Sequence, residues 1–500
     1  MTPAMIANRP GLMQVSVSRS AEEKRLIPAY CSSLARRARE LKILRKNILT
    51  DAKGTELAFG IQSRFSPHPV AVSDTLYSRL TQLHVLLGRV FIDIVDRWFT
   101  DKNARFPERM PLDPSEESLL KWIASSGKIP DYRNHAGCWR SDILFEQTPD
   151  DVVDVAPRIC EINGRLPLNG VLGISLATNG LKELGAAPGG LETQSDMEGS
   201  YERVMALFDP EKPLFTVHHS FPGADSKTLS GVNLSKNRPP VEAVHPKNLE
   251  VRENKSSPTR LSLWDKSTGT QLEQWTIEML QEEYTVLEPA VVRQLALSPL
   301  NDLRTVFIVH DKRLLGIIPE ELPGMVARGV LSAEEANIIA DGLAQTINPG
   351  SEGLRSLIRE SEGNPDVRVG YIYKPCRDGM GHGIELGRNM TQEAWLERLK
   401  KLATPNVLRP HDNAAVIQKL VDHKWFDMVR HEVASDDGAK PNMLHIIGSF
   451  FMFNNQNYYS APWRMGLETH LGISGDKPGI VMAMVRQPDW PVSYDQEEES

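Results

Sequence analysis

The chain has 500 residues, 40% of them hydrophobic and 24% charged, with a formal net charge of −8. This length and composition predict two or three packed domains of an ordinary globular protein. The acidic balance argues against nucleic-acid binding through bulk positive charge, and charged residues interrupt the long apolar stretches, so no membrane span is predicted. Cys31, Cys138, Cys160 and Cys376 are scattered with no CxxC pair, which favours free thiols in a reducing, cytoplasmic setting over a disulfide framework or a zinc site.

In chain order, the first 20 residues hold Arg9, Arg19, several serines and no acid. A transit peptide shares those features, but no clear apolar arginine face develops, and a frayed terminus is the expectation. A charged helical segment is predicted over 21–47. Leu76, Leu80, Leu83, Leu87, Val90, Phe91, Ile94 and Trp98 recur every three or four residues, a single buried helical stripe with Ser73 and Asp74 at its N-cap. A third helix is predicted over 115–125, and residues 1–135 are expected to form a helical module.

The period then changes. Residues 139–145 and 158–163 alternate as two strands of a hairpin, joined by the polar, acidic stretch 146–156. The two-residue period places Arg140 and Asp142 on one face of the first strand and Glu161 and Asn163 on one face of the second, so that Asp142, Glu161 and Asn163 could share one face of the hairpin. A helix is expected to begin near Gly170, followed by an amphipathic segment to Phe208. A strand is predicted over 214–218, a Ser/Pro/Gly-rich loop over 220–240, a strand around 260–264 and a helix around 273–284. Thr305–His310 reads as a strand running into Asp311, Lys312 and Arg313. Ser332 and Glu335 form a capping box for a helix to Gly342. Helices are predicted over 352–361 and 391–402, and strands over 415–421 and 444–453. The acidic segment 495–500 reads as disordered.

Residues 371–386 read as a strand, a lysine at its end, a glycine-rich turn and a second strand. Gly379, Gly381 and Gly383 alternate with other residues. Glycines let a backbone approach a ligand, successive N–H groups make an anion cradle, and Lys374 adds a point charge suited to phosphate. A glycine-rich hairpin with a surface lysine is the competing reading. No Gly-Lys-Ser/Thr opens a helix, so this is not a Walker loop.

Asp142, Glu161 and Asn163 offer hard oxygen donors of the kind magnesium shares with nucleotide phosphates. A solvated strand face is the plain alternative. Arg140 could grip a carboxylate or phosphoryl group through its planar fork. Lys312 and Lys374 each end an apolar run, a position from which two lysines could bracket the phosphates of ATP. Gln418, inside an apolar strand, needs a partner, either an adenine edge or a backbone group. Arg464 suits a γ-phosphate or a surface salt bridge.

Taken in order, Arg140-x-Asp142, Glu161-x-Asn163, Asp311-Lys312, Lys374-Pro375 with its glycine turn, Val416-Ile417-Gln418, Gly448-Ser449-Phe450 and Arg464 resemble the ATP-grasp superfamily. The order resembles its circularly permuted branch, typified by the ligase domain of glutathionylspermidine synthetase, over residues 138–490. The resemblance implies an α+β, circularly permuted ATP-grasp-like fold behind the N-terminal helical module. It places a metal-binding hairpin and substrate-side α/β domain over 136–300, a nucleotide-clamping region over 301–490 and an acidic tail over 491–500.

It also implies an ATP-dependent carboxylate–amine ligase working through an acyl phosphate, with ATP and Mg2+ (or Mn2+) as cofactors. Its partners would be a small carboxylate and an amine, with no nucleic acid or membrane. An amino acid in a natural-product pathway is one candidate acid. Asp142, Glu161 and Asn163 resemble the metal ligands, and Lys312 and Lys374 the ATP-phosphate lysines. Gly379, Gly381 and Gly383 resemble the closing loop, Gln418 the adenine-side hinge, and Arg140 the arginine that stabilises charge in acyl transfer. Arg464 is the second candidate catalytic residue.

Three departures limit the transfer. Gly164-Arg165-Leu166-Pro167-Leu168 stands where the glutathionylspermidine enzymes carry serines, so glutathione and spermidine are not carried over. The amidase domain is missing. The hairpin carboxylates are 161 − 142 = 19 positions apart, so an insertion must loop out. A non-catalytic nucleotide-binding protein and an ATP-dependent phosphotransferase are the alternative functions. Alanine at Asp142, Glu161 or Asn163 is expected to abolish magnesium-dependent ATP turnover without unfolding the protein.

Overall fold

The structure is a computed structural model that describes residues 11–17, 26–52, 64–148, 155–165, 177–178, 180–186, 190–192, 197–218, 229–230, 233, 236–257, 259–379, 381–404, 409–410, 414–431, 441–455, 457–467 and 479–486. The predicted acidic tail, the first ten residues and most of the loop at 220–240 lie outside them.

The N-terminal region is not the purely helical module expected. Strands β1 (Leu12–Ser16), β2 (Ile27–Pro28) and β3 (Val70–Ser73) flank helix α1 (Leu34–Ala52). They belong to one sheet of order β2-β1-β3-β22-β6, which also holds β6 (Leu191–Glu192) and β22 (Ala483–Arg486). Strands β1, β2 and β22 are buried throughout and β3 at three of its four residues, so they carry little alternation for a period of two to reveal.

Helix α2 (Asp74–Arg97) is the predicted apolar stripe, and Ser73 Oγ accepts from the Leu76 N–H as its cap. The eight stripe residues are each no more than 2% exposed. From this helix His84 reaches Ser141 of the predicted hairpin. Its Nδ1 lies 2.6 Å from the Leu80 carbonyl, so it donates there, and Nε2, 2.5 Å from Ser141 Oγ, accepts. Burial holds this imidazole down at about 4, keeping it neutral. Helix α3 (Pro114–Ser126) completes the predicted trio behind a capping box formed by Asp113 and Glu116.

The predicted hairpin is β4 (Cys138–Gln147) and β5 (Val155–Asn163), antiparallel and longer than expected, so extended strands absorb part of the extra spacing. It sits at the edge of a seven-stranded sheet with β17 (Phe426–Val429), β18 (Pro441–Phe453), β19 (Asn457–Ser460), β20 (Trp463–Gly466) and β21 (Gly479–Val481). Strand β4 pairs with β18, which places Ser449 opposite Asp142.

Three smaller sheets surround this frame. Strand β7 (Leu214–His218) runs parallel to both β8 (Val241–Val244) and β12 (Trp275–Glu278). Strands β9 (Leu249–Glu253), β10 (Leu261–Asp265) and β11 (Thr270–Leu272) form an antiparallel meander. Strands β13 (Thr346–Ile347), β14 (Tyr371–Pro375), β15 (Glu385–Leu386) and β16 (Ala415–Lys419) make a four-stranded antiparallel sheet of order β13-β16-β14-β15. Helices α8 (Glu352–Gly363) and α9 (Gln392–Leu402) cover one face of it through Leu354, Leu357, Trp395 and Leu399.

Two predicted elements change identity. The helix expected over 273–284 divides into β12 and the short helix α4 (Gln281–Thr285). Residues 275–278 are all buried beside β7, and parallel pairing there overrides the helical pattern. The strand expected at Thr305–His310 is a π-helical turn over Thr305–Val309, leading through Lys312 into helix α6 (Arg313–Ala327), after α5 (Pro289–Leu295). A short, wholly buried apolar run does not distinguish strand from helix by period. The capping box at Ser332 and Glu335 does open the predicted helix, α7 (Ala333–Gly342).

Candidate functional site

The hairpin supplies the first half of the site. Asp142 and Glu161 are direct cross-strand partners, as are Arg140 and Asn163. The register then slips, with Ile143 opposite Ile159, so Cys160 is the extra residue of a β-bulge. The bulge turns the Cys160 carbonyl toward the four-stranded sheet, where Gln418 Nε2 donates to it at 3.2 Å. Nε2 also reaches Thr346 Oγ1 at 3.0 Å, and Gln418 Oε1 accepts from Lys374 Nζ at 2.8 Å. Gln418 therefore ties the two sheets together and sets the position of Lys374.

Lys312 makes the second bridge. Its Nζ lies 3.2 Å from Glu161 Oε1 and donates to the Asp378 carbonyl at 2.7 Å, while its own N–H donates to the Cys376 carbonyl at 3.0 Å. Hairpin, π-helical turn and glycine-rich turn therefore meet at one lysine. The close packing of Gly164 against Thr305 explains why a glycine ends the hairpin there: a Cβ would stand 2.9 Å from Thr305 Cγ2 and 3.1 Å from its carbonyl oxygen.

Asp142 is buried among donors. Arg464 Nη2 lies 2.5 Å from Oδ2, Arg140 Nη2 3.2 Å from Oδ1, and Ser449 Oγ donates to Oδ1 at 3.1 Å. Burial pushes this carboxyl up, but the Arg140 and Arg464 guanidiniums outweigh it and hold Asp142 down at about 2. Arg464 is thus largely buried in a salt bridge with Asp142 beside the hairpin, and not on the surface.

The glycines occupy the turn between β14 and β15. Gly381 and Gly383 have φ of 80° and 66°, a region that favours glycine. A Cβ on Gly383 would also stand 2.8 Å from Pro375 Cγ, and one on Gly379 2.6 Å from Arg165 Nη2.

Beneath this turn lies a charge network that sequence reasoning missed. Arg377 donates to Glu116 Oε1 at 2.6 Å, Asp311 Oδ2 at 2.9 Å and the Phe307 carbonyl at 3.1 Å. Arg313 grips both oxygens of Asp311, at 2.9 and 2.7 Å. Against the upward push of burial, Arg313 and Arg377 hold the Asp311 carboxyl well below the usual range. The network fixes the residues on either side of Lys312 and those entering the glycine turn. The -Asp-Lys-Arg- run at 311–313 was its one visible trace in the sequence.

Carboxylate and amide oxygens are the donor types a small divalent cation takes, and Asp142, Glu161 and Asn163 stand at neighbouring positions of a single bulged hairpin. Both Asp142 oxygens face Arg464, Arg140 and Ser449, and Glu161 Oε1 faces Lys312, so a cation would have to take these oxygens from their present partners. Hard oxygen donors with room for phosphate and water are what magnesium takes. Among the described residues, no group of three or more His, Cys, Asp or Glu could hold a metal by itself, so the phosphates would have to complete the shell. All four cysteines are free and buried. Among the described residues, no helix is long and apolar enough to cross a membrane.

The AnkG N-terminal domain family matches residues 83–308. A solved structure of a glutathione synthetase-like effector (GSS30) from Globodera pallida in apo form aligns with a TM-score of 0.48 at 14% identity, covering 89% of this chain and 97% of that one. Such a likeness lies below the level that implies a shared fold. The ATP-grasp enzyme ankG of Aspergillus thermomutatus is 30% identical over 434 residues, which cover 83% of this chain and 87% of that protein. Identity of that degree across most of both chains means that this protein belongs to the ATP-grasp enzyme family that includes ankG.

Proposed function

We propose that the protein is an ATP-dependent carboxylate–amine ligase of circularly permuted ATP-grasp type. It would form an amide through an acyl phosphate, on an amino acid or other small acid in a natural-product pathway. The observation that carries this reading is the convergence of an early hairpin with much later cations: Lys312 on Glu161 at 3.2 Å, and Lys374 joined through Gln418 to the Cys160 carbonyl.

A carboxylate is a poor acyl donor because its leaving group is oxide. Attack of a carboxylate oxygen on the γ-phosphorus, with departure of ADP, makes the leaving group phosphate. The amine nitrogen then attacks the acyl carbon, phosphate departs, and the nitrogen gives its proton to solvent. In this scheme Lys312 and Lys374 hold the nucleotide phosphates, and Lys312 exchanges the Asp378 carbonyl for a phosphate oxygen. Arg140, steered by Asp142, faces the tetrahedral oxyanion, and Arg464 supports it from the neighbouring strand. A bound magnesium ion, held by Asp142, Glu161 and Asn163, would offset phosphate charge. Closure of the turn at Gly379–Gly383 excludes water that would hydrolyse the acyl phosphate.

The test is a panel of amino acids and amines read by ADP release and mass spectrometry. ADP release that requires both an acid and an amine, with an amide product, supports the ligase. Release with the acid alone indicates a phosphotransferase. Binding of MgATP with no turnover across the panel indicates a nucleotide-binding protein.

A further inference from the structure

Most cations of the cleft already have partners. Arg140 and Arg464 share Asp142, Lys312 has Glu161, and Lys374 has the Gln418 amide. Arg165 differs. It directly follows Gly164 at the end of the hairpin, and its guanidinium lies against the glycine turn, with Nη2 2.6 Å from where a Cβ on Gly379 would stand. Among the described residues its one hydrogen bond is a long one, from Nη1 to Gln281 Oε1 at 3.5 Å. Glu161, Glu282 and Asp378 attract it from around the pocket, but among the described residues none makes an ion pair with it.

A partly buried guanidinium with no ion pair among the described residues is a place for an incoming anion. Resting on the ligase reading above, we infer that Arg165 is a specificity-determining residue that binds a carboxylate of the acid substrate. The choice of carboxylate over phosphate follows from position. Gln281, Glu282 and Tyr284 around Arg165 belong to α4, next in sequence to β12, whereas Lys374 lies in the four-stranded sheet and Lys312 at the start of α6. Arg165 meets the nucleotide side at Glu161, the partner of Lys312, and at Asp378 and Gly379, where the closing turn would trap the acid beside the transferring phosphoryl group. A planar fork also suits two-point contact with a carboxylate. The room for that fork exists because Gly379 has no side chain.

The experiment compares the wild type, Arg165→Ala and Arg165→Lys by calorimetry. MgATP is titrated into each protein; acetate, succinate and inorganic phosphate are then titrated in the presence of saturating MgADP. The expected result is MgATP affinity within about twofold of wild type in both variants. Acetate or succinate affinity should fall at least about tenfold in Arg165→Ala, the loss of one charge-assisted contact, with part of it restored in Arg165→Lys. Because Arg165 makes no ion pair among the described residues, neither variant is expected to melt earlier than wild type, and thermal melts of all three proteins confirm that folded proteins are compared. A tenfold loss of MgATP or phosphate affinity with carboxylate binding unchanged overturns the inference in favour of a phosphate contact. Wild-type protein that binds MgATP but neither carboxylate also overturns it and leaves the ligase reading standing. Wild-type protein that fails to bind MgATP removes the ligase reading and this inference with it.

Discussion

Asp142 was expected from sequence to matter for turnover alone, but its surroundings make it a structural residue as well. Ionising at about 2, against 3.8 for a free aspartate, corresponds to about 2–3 kcal/mol of preference for the charged form in the folded protein. Asp142→Asn keeps the size and the contact with Ser449 but removes the charge that Arg140 and Arg464 share. The expected destabilisation at pH 7 is therefore about 2–3 kcal/mol, rising toward the 3–5 kcal/mol typical of a broken buried ion pair if neither arginine finds water. Urea unfolding of the two proteins measures it.

The pH dependence has a definite sign. The folded pKa is depressed, so the folded state binds fewer protons than the unfolded one. The stabilisation is present in full above about 4 and is lost as pH falls through about 2. The gap between wild type and Asp142→Asn should narrow on acidification over that window. A variant as stable as wild type at pH 7, or a gap that widens in acid, refutes this account of the hairpin.

Asn163→Ala is the cleaner test of the metal assignment. Asn163 Nδ2 has no partner to lose, so stability should stay within about 0.5 kcal/mol, while magnesium-dependent ATP turnover should fall at least about tenfold; unchanged turnover removes Asn163 from the metal site. Lys374→Ala should weaken MgATP binding at least about tenfold by calorimetry, equivalent to about 1.4 kcal/mol, and equal affinity would argue against the clamp. Arg377→Ala leaves Glu116 and Asp311 without a shared buried cation and should cost about 3–5 kcal/mol in urea unfolding. Burial already raises the Glu116 carboxyl despite Arg377, so part of that loss should be recovered as pH falls and Glu116 takes up a proton.

The sequence made the long, strongly patterned elements legible. The stripe of α2, the capping box of α7 and the hairpin of β4 and β5 each show a clear period or terminus signal, and each is present. The wholly buried segments were not legible, because periodicity needs a polar face to contrast with an apolar one. This is why Thr305–Val309 turned from strand to π-helical turn and why β12 was hidden in a helical pattern. At the site, the spacing of Asp142, Glu161 and Asn163 was visible. The bulge at Cys160 and the partners of Gln418 were not: the bulge is a one-residue slip in strand register that alternation does not encode, and Gln418 meets Lys374, Thr346 and Cys160 from 44, 72 and 258 positions away. Arg165 was noted only as a departure from the resembling family; what distinguishes it is a missing partner, and only coordinates reveal that.

The parallel pairing of β3 with β22 sets Val70 beside Ala483. During synthesis, the early strands must wait without their neighbour until residues 483–486 emerge from the ribosome. Until then Val70 and Val72 present an open, aggregation-prone edge. Completion of this sheet is thus a late event in the life of the nascent chain, and shortening the chain before residue 483 would leave the β22 side of β3 unpaired.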